Sequence, residues 1–125
     1  MSRTATEDAL GYCARIRDLI LHHDGGWADG DALEKFRLLS GGASRAVNNA
    51  QGAELMRTAF EYASDLFSGS DHQKWATGRT SGADILRLCI LAKLDAFRAR
   101  VVHLQAAARG RDALDADRMY YPKDE

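Results

Sequence analysis

The sequence predicts an all-α protein: a single-domain helical bundle of about four to five helices around a long C-terminal helix, about residues 82–109. Three observations carry that expectation. Val and Ile are few, proline occurs once, and no stretch alternates apolar with polar residues for long, so strand signals are scarce. Apolar residues instead recur three and four apart in several windows. Capping residues and glycine clusters punctuate those windows.

The first helix is expected from Thr4 or Thr6, where Thr4 and Glu7 have the spacing of a capping box. Ala9, Cys13, Ile16 and Ile20 then share one face, which Leu10 and Leu21 widen. The glycines of Asp24-Gly25-Gly26 should end it. Asp31 reads as the N-cap of a short helix, Ala32 to Leu39, stopped by Ser40-Gly41-Gly42. A third element follows from Ala43, with Ala46, Val47 and Ala50 as a small apolar face and Gly52 as a bend or break. Residues 53–67 form the cleanest amphipathic segment. Leu55, Met56, Ala59, Phe60, Ala63, Leu66 and Phe67 fall on one side, and Glu54, Arg57, Glu61 and Asp65 on the other. Ser68-Gly69-Ser70 should stop it, and Asp71 can cap a single turn through Trp75.

Ser81 with Asp84 marks the start of the long helix, for which Gly110 is the expected C-cap. Its first half, Ile85 to Leu94, is apolar almost all round apart from Arg87 and Lys93, the pattern of a helix wrapped by others. The remainder, residues 111–125, is expected as a short helical or extended tail of the same domain. No repeat or low-complexity linker divides residues 1–125.

Composition narrows the function classes. The chain has 125 residues, a formal net charge of −1 and 46% hydrophobic residues, enough for one domain with a real core. No apolar run reaches the roughly 20 residues of a membrane span, and MSRTATEDAL lacks the apolar core of a secretory signal. Near-zero charge argues against an overall electrostatic grip on nucleic acid, though not against a local patch. Cys13 and Cys89 both lie within apolar helical patterns and read as free buried thiols of a cytoplasmic protein. Arginine outnumbers lysine heavily, a hint of a GC-rich bacterial genome.

Chemistry-bearing patterns are sparse, and each has a structural reading beside the functional one. His22 and His23 are metal-ligand types, but adjacent helical residues point about 100° apart and do not easily share one ion. A cationic helix end favoured by the macrodipole explains them better. The acidic stretch from Asp24 to Asp31 fails the calcium-loop pattern, with Gly26, Ala28 and Lys35 at ligand positions. Cys13, Cys89, His72 and His103 are scattered without zinc spacing. His72-Gln73-Lys74 has the wrong spacing for a phosphotransfer histidine. No cofactor is expected, and no catalytic residue is assigned. The scattered histidines leave an enzyme or metal protein only as a third reading.

Two patterns bear on partners. Residues 43–51 could be the second helix of a helix-turn-helix. There Arg45, Asn48 and Asn49 are types that read bases or hold phosphates, and Arg98 and Arg100 of the long helix would add phosphate contacts. The alternative is a polar, solvated helix, with the basic end of the long helix covered by a folded-back acidic tail. The second pattern is aromatic: Trp75, Met119, Tyr120 and Tyr121 sit in short, poorly packed segments where large amphipathic side chains act as contact anchors. They could equally staple the chain's own loops. The leading expectation is therefore a small non-catalytic helical protein that binds another protein or itself as a homo-oligomer, without a membrane partner. Its role would be accessory, regulatory or inhibitor-type, in a phage- or mobile-element-encoded setting. Nucleic-acid binding is the alternative.

Overall fold

The computed structural model describes residues 4–23, 28–69 and 74–120, the side chains of 111–120 excepted. It is an all-α bundle of four helices: α1 (Ala5–Leu21), α2 (Gly30–Val47), α3 (Ala50–Leu66) and α4 (Gly82–Tyr120). Consecutive helices pack on one another, and α1 closes the ring against α4. The directions alternate. The start of α2 is tied to the end of α3 by the Asp29 N–H donating to the Phe67 carbonyl at 3.0 Å. Gly52, early in α3, lies against Phe97, about two fifths of the way along α4.

The core is the set of positions that the periodicities select. Ala9, Cys13, Ile16 and Ile20 of α1 are all buried, as are Met56, Ala59, Ala63 and Leu66 of α3. From α4 come Leu86, Ile90, Leu94, Phe97 and Val101, and from α2 Phe36. Phe60, expected in the core, is only half-buried and tilts against Phe36 with ring centroids 6.2 Å apart. Arg57 bridges Glu54 and Glu61 on the solvated face of α3, as the spacing predicts. Exposed pairs of this kind contribute little.

The caps follow local chemistry. Thr4 caps α1, its hydroxyl accepting from the Glu7 N–H at 3.1 Å, and α1 ends at His22, ahead of the glycines expected to stop it. The Ser81 hydroxyl accepts from the Asp84 N–H at the start of α4. Asp29, not Asp31, caps α2, accepting from the Ala32 N–H at 2.9 Å. The helix therefore begins two residues earlier than expected.

Three expected breaks are absent. Ser40-Gly41-Gly42 does not stop α2, which runs on through Ala43 to Val47. Gly52 does not bend α3, which starts at Ala50 rather than Ala53. These glycines serve packing. A Cβ on Gly42 would stand 2.6 Å from the Tyr12 ring, and one on Gly52 3.2 Å from Phe97. Each costs roughly 1 kcal/mol of helix propensity relative to Ala, and the close approach of an aromatic ring offsets it. Gly110 does not cap α4, which continues through the helix-forming run RDALDADRMY to Tyr120. Residues 111–120 thus extend α4 instead of folding back along it.

Among the described residues, the α3–α4 connection is built on short turns rather than helix. Lys74 and Trp75 form a short 3₁₀ turn. Thr77 and Thr80 then exchange backbone hydrogen bonds around Gly78, whose φ is +59°. Residues 71–73 of the capped turn expected at Asp71 lie outside the described residues. No helix among the described residues is long and apolar enough to cross a membrane.

Candidate functional site

The residues suggested for nucleic-acid contact lie at the α2–α3 corner and on α4. Residues 43–47 are the last turns of α2, packed within the bundle, and no turn sets them off as a separate recognition helix. Asn48 adopts the left-handed conformation, φ +52°, as the C-cap of α2. The side chain of Asn49 is engaged as the N-cap of α3, accepting from the Gly52 N–H at 2.9 Å. These two asparagines form a two-residue corner, for which Asn suits because it tolerates the left-handed region. Arg45 is exposed. Arg98 lines a groove between α1 and α4 with Leu10, Cys13 and Arg17. Arg100 lies about 200° round the helix from Arg98. Its Nε is buried and has no hydrogen-bond partner among the described residues.

The histidines are also dispersed. His22 is exposed, and its Nδ1 lies 2.8 Å from the Asp18 carbonyl oxygen of its own helix. His23 turns inward. Its ring stands edge-on to Phe67 at 4.6 Å, and Nε2 lies 2.8 Å from Asp29 Oδ2. Arg87 of α4 donates from Nε and Nη2 to the His23 carbonyl, while its Nη1 donates to Asp84. This cluster locks the α1–α2 connection to the start of α4 and the end of α3. The Ala32 N–H, followed by the His23 ring, holds the Asp29 carboxyl below its ordinary pKa. His103 is exposed on α4, and His72 lies outside the described residues. Among the described residues no three His, Cys, Asp or Glu side chains converge to hold a metal ion. Cys13 and Cys89 are both free, and burial pushes the Cys13 thiol up to about 11, against a smaller opposing pull from Arg98.

Trp75 packs on its own chain. Its indole N–H donates to Asp65 Oδ2 at 2.8 Å, and its ring meets Tyr62 edge-on at 5.5 Å. Lys74 reaches the same carboxylate at 3.4 Å. The connection is thereby stapled to α3, with the half-buried ring still partly open to solvent. Met119 and Tyr120 stand in the last turn of α4, and Tyr121 lies outside the described residues.

The surface that sequence reasoning missed is the outward side of α4. Leu88 is 62% exposed and Val102 49%, both large and apolar. Leu88, Ala92, Asp95, Ala99, Val102 and Ala106 are all exposed and lie within about 40° of one line along the helix. Their spacing alternates four and three, the period of a coiled-coil seam. The signal was present in the sequence: a helix apolar almost all round has more apolar faces than α1 and α3 can cover. At the far end of the bundle, Leu104, Ala108 and Arg109 share a groove with Thr4–Thr6 and with Ala46 and Val47. Beyond that level α4 is the only one of the described helices to continue, running through Tyr120, about 16 Å at 1.5 Å per residue.

No protein-family model, curated protein or solved structure matches this chain.

Proposed function

We propose that this protein acts by protein–protein interaction, as a small non-catalytic helical protein of accessory, regulatory or inhibitor type in the reducing cytoplasm. The observation that carries this reading is the continuation of α4 past the other three helices, ending on Met119 and Tyr120. A lone helical segment of this length is marginal in water, and most helical stability comes from covering an apolar face. A projecting helix with large side chains at its tip therefore suits a contact made outside the chain's own bundle. The two free thiols support the compartment.

Deletion of residues 112–125 tests the reading. Cross-linked captures from the source cells should lose most of the partner recovered with the full chain. The melting temperature should fall by no more than about 2–4 °C, the scale of a sub-kilocalorie change in a domain of this size. A deletion that collapses the fold while leaving capture and assembly unchanged would assign these residues to the ordinary core.

A further inference from the structure

We propose that the outward face of α4 is a self-association surface, on which a second copy of this chain packs its own α4 antiparallel. This rests on the protein-binding reading above and names the partner. Apart from Asp95 the face is apolar; it bears two large exposed side chains and lies opposite the core-facing positions Leu86, Ile90, Phe97 and Val101. Its pattern is close to symmetric about the level of Phe97. An antiparallel pair centred there sets Leu88 against the partner's Ala106, Ala92 against the partner's Val102, and Asp95 against the partner's Ala99. Each large side chain meets an alanine, the large-against-small fit by which facing helices interdigitate.

Charge selects the second copy over another occupant. Asp84, Asp95, Arg98 and Arg109 all lie on one flank of the stripe. A two-fold axis maps that flank onto its own counterpart, because in such an interface residue i meets j and j meets i. In the register set by the apolar residues, Asp84 comes beside the partner's Arg109 and Asp95 beside the partner's Arg98. The same geometry repeats across the axis, giving four opposite-charge contacts, with the two Arg98 side chains meeting at the axis between the two Asp95 carboxylates. In one chain Asp84 already meets Arg87 and Asp95 meets Arg17. Both carboxylates remain largely exposed, at 59% and 70%, and open to a further cation. A parallel pair would instead set this flank against the opposite one, which carries no carboxylate between residues 82 and 110. The antiparallel register also carries residues 111–120 past the start of the partner's α4, to the end of the bundle where Trp75 lies.

Cross-linking of the full chain tests both partner and direction. In a Cys89→Ser background, with Cys13 buried and protonated, Ala92→Cys and Val102→Cys chains are mixed and oxidised. The expected product is a mixed disulfide between the two variants, with neither variant cross-linking to itself. Sedimentation should give a dimer for the wild type and a monomer of unchanged helicity for Ala99→Arg. Arg98→Glu should weaken the dimer about threefold to tenfold, and adding Asp95→Arg should restore it. Self-cross-linking of Val102→Cys alone would overturn the antiparallel register. A wild type that sediments as a monomer at every concentration would overturn self-association. Loss of a different captured protein on deleting residues 112–125 would then leave the broader reading standing alone.

Discussion

The inward and outward faces of α4 share one helix and nearly one spacing, yet they have opposite surroundings. Inward, Leu86, Ile90, Leu94, Phe97 and Val101 are buried by α1 and α3. Outward, Leu88 and Val102 stand in solvent with Ala92, Asp95 and Ala99 between them. The inward residues are the larger, as a core demands, and the outward ones are small enough to let another backbone approach. Periodicity marks a face as one that excludes water. It does not say which chain does the excluding.

The sharpest break of this comparison is a pair of truncations. Phe97→Ala should cost about 3–5 kcal/mol, because it empties a fully buried site. Leu88→Ala should change the stability of the monomer by less than about 0.5 kcal/mol, since its site is exposed. Urea denaturation at low protein concentration measures both, and similar losses would mean that the two faces have been misassigned.

Adjacent glycines give the next contrast. Gly42→Ala should destabilise by about 1–3 kcal/mol, because its new Cβ would press on the Tyr12 ring. Gly41→Ala should be neutral or stabilise by up to about 1 kcal/mol, since only the flexible end of Arg45 stands near, at 3.3 Å. Thermal melts of the two variants should move in opposite directions. If both lower the melting temperature equally, the approach of α1 to α2 through Gly42 is wrong.

The smallest effect concerns the bundle end that Asp29 ties together. Its carboxyl pKa lies below the ordinary 3.8, so its contribution is present above that value and is lost as the pH falls through the lowered one. Asp29→Asn keeps a capping acceptor but removes the titration. Below about pH 4 the wild type should lose stability more steeply than the variant. Parallel acid-denaturation curves would remove Asp29 from the account.

Much of the architecture was legible because helical signals are local. Thr4 with Glu7 and Ser81 with Asp84 named two true starts, and the spacing of Ala9, Cys13, Ile16 and Ile20 named a true buried face. Glycine is less local: Gly41, Gly42 and Gly52 read as breaks in the sequence, yet at Gly42 and Gly52 an aromatic ring from another helix occupies the place of a side chain. Asn48 and Asn49, singled out in the sequence as types that read bases, also turn the corner between α2 and α3.

By itself, then, the sequence determined that this chain is all helical, where α1 and α4 begin, and which positions of α1 and α3 face inward. Capping and 3.6-residue periodicity act within a turn or two of the chain, so no partner is needed to read them. The tertiary structure alone decided which glycines are packing sites, how far α4 outruns its neighbours, and which of its apolar faces the bundle leaves open. Those outcomes depend on what stands opposite each residue across a helix–helix contact, and on how many helices are available to cover α4.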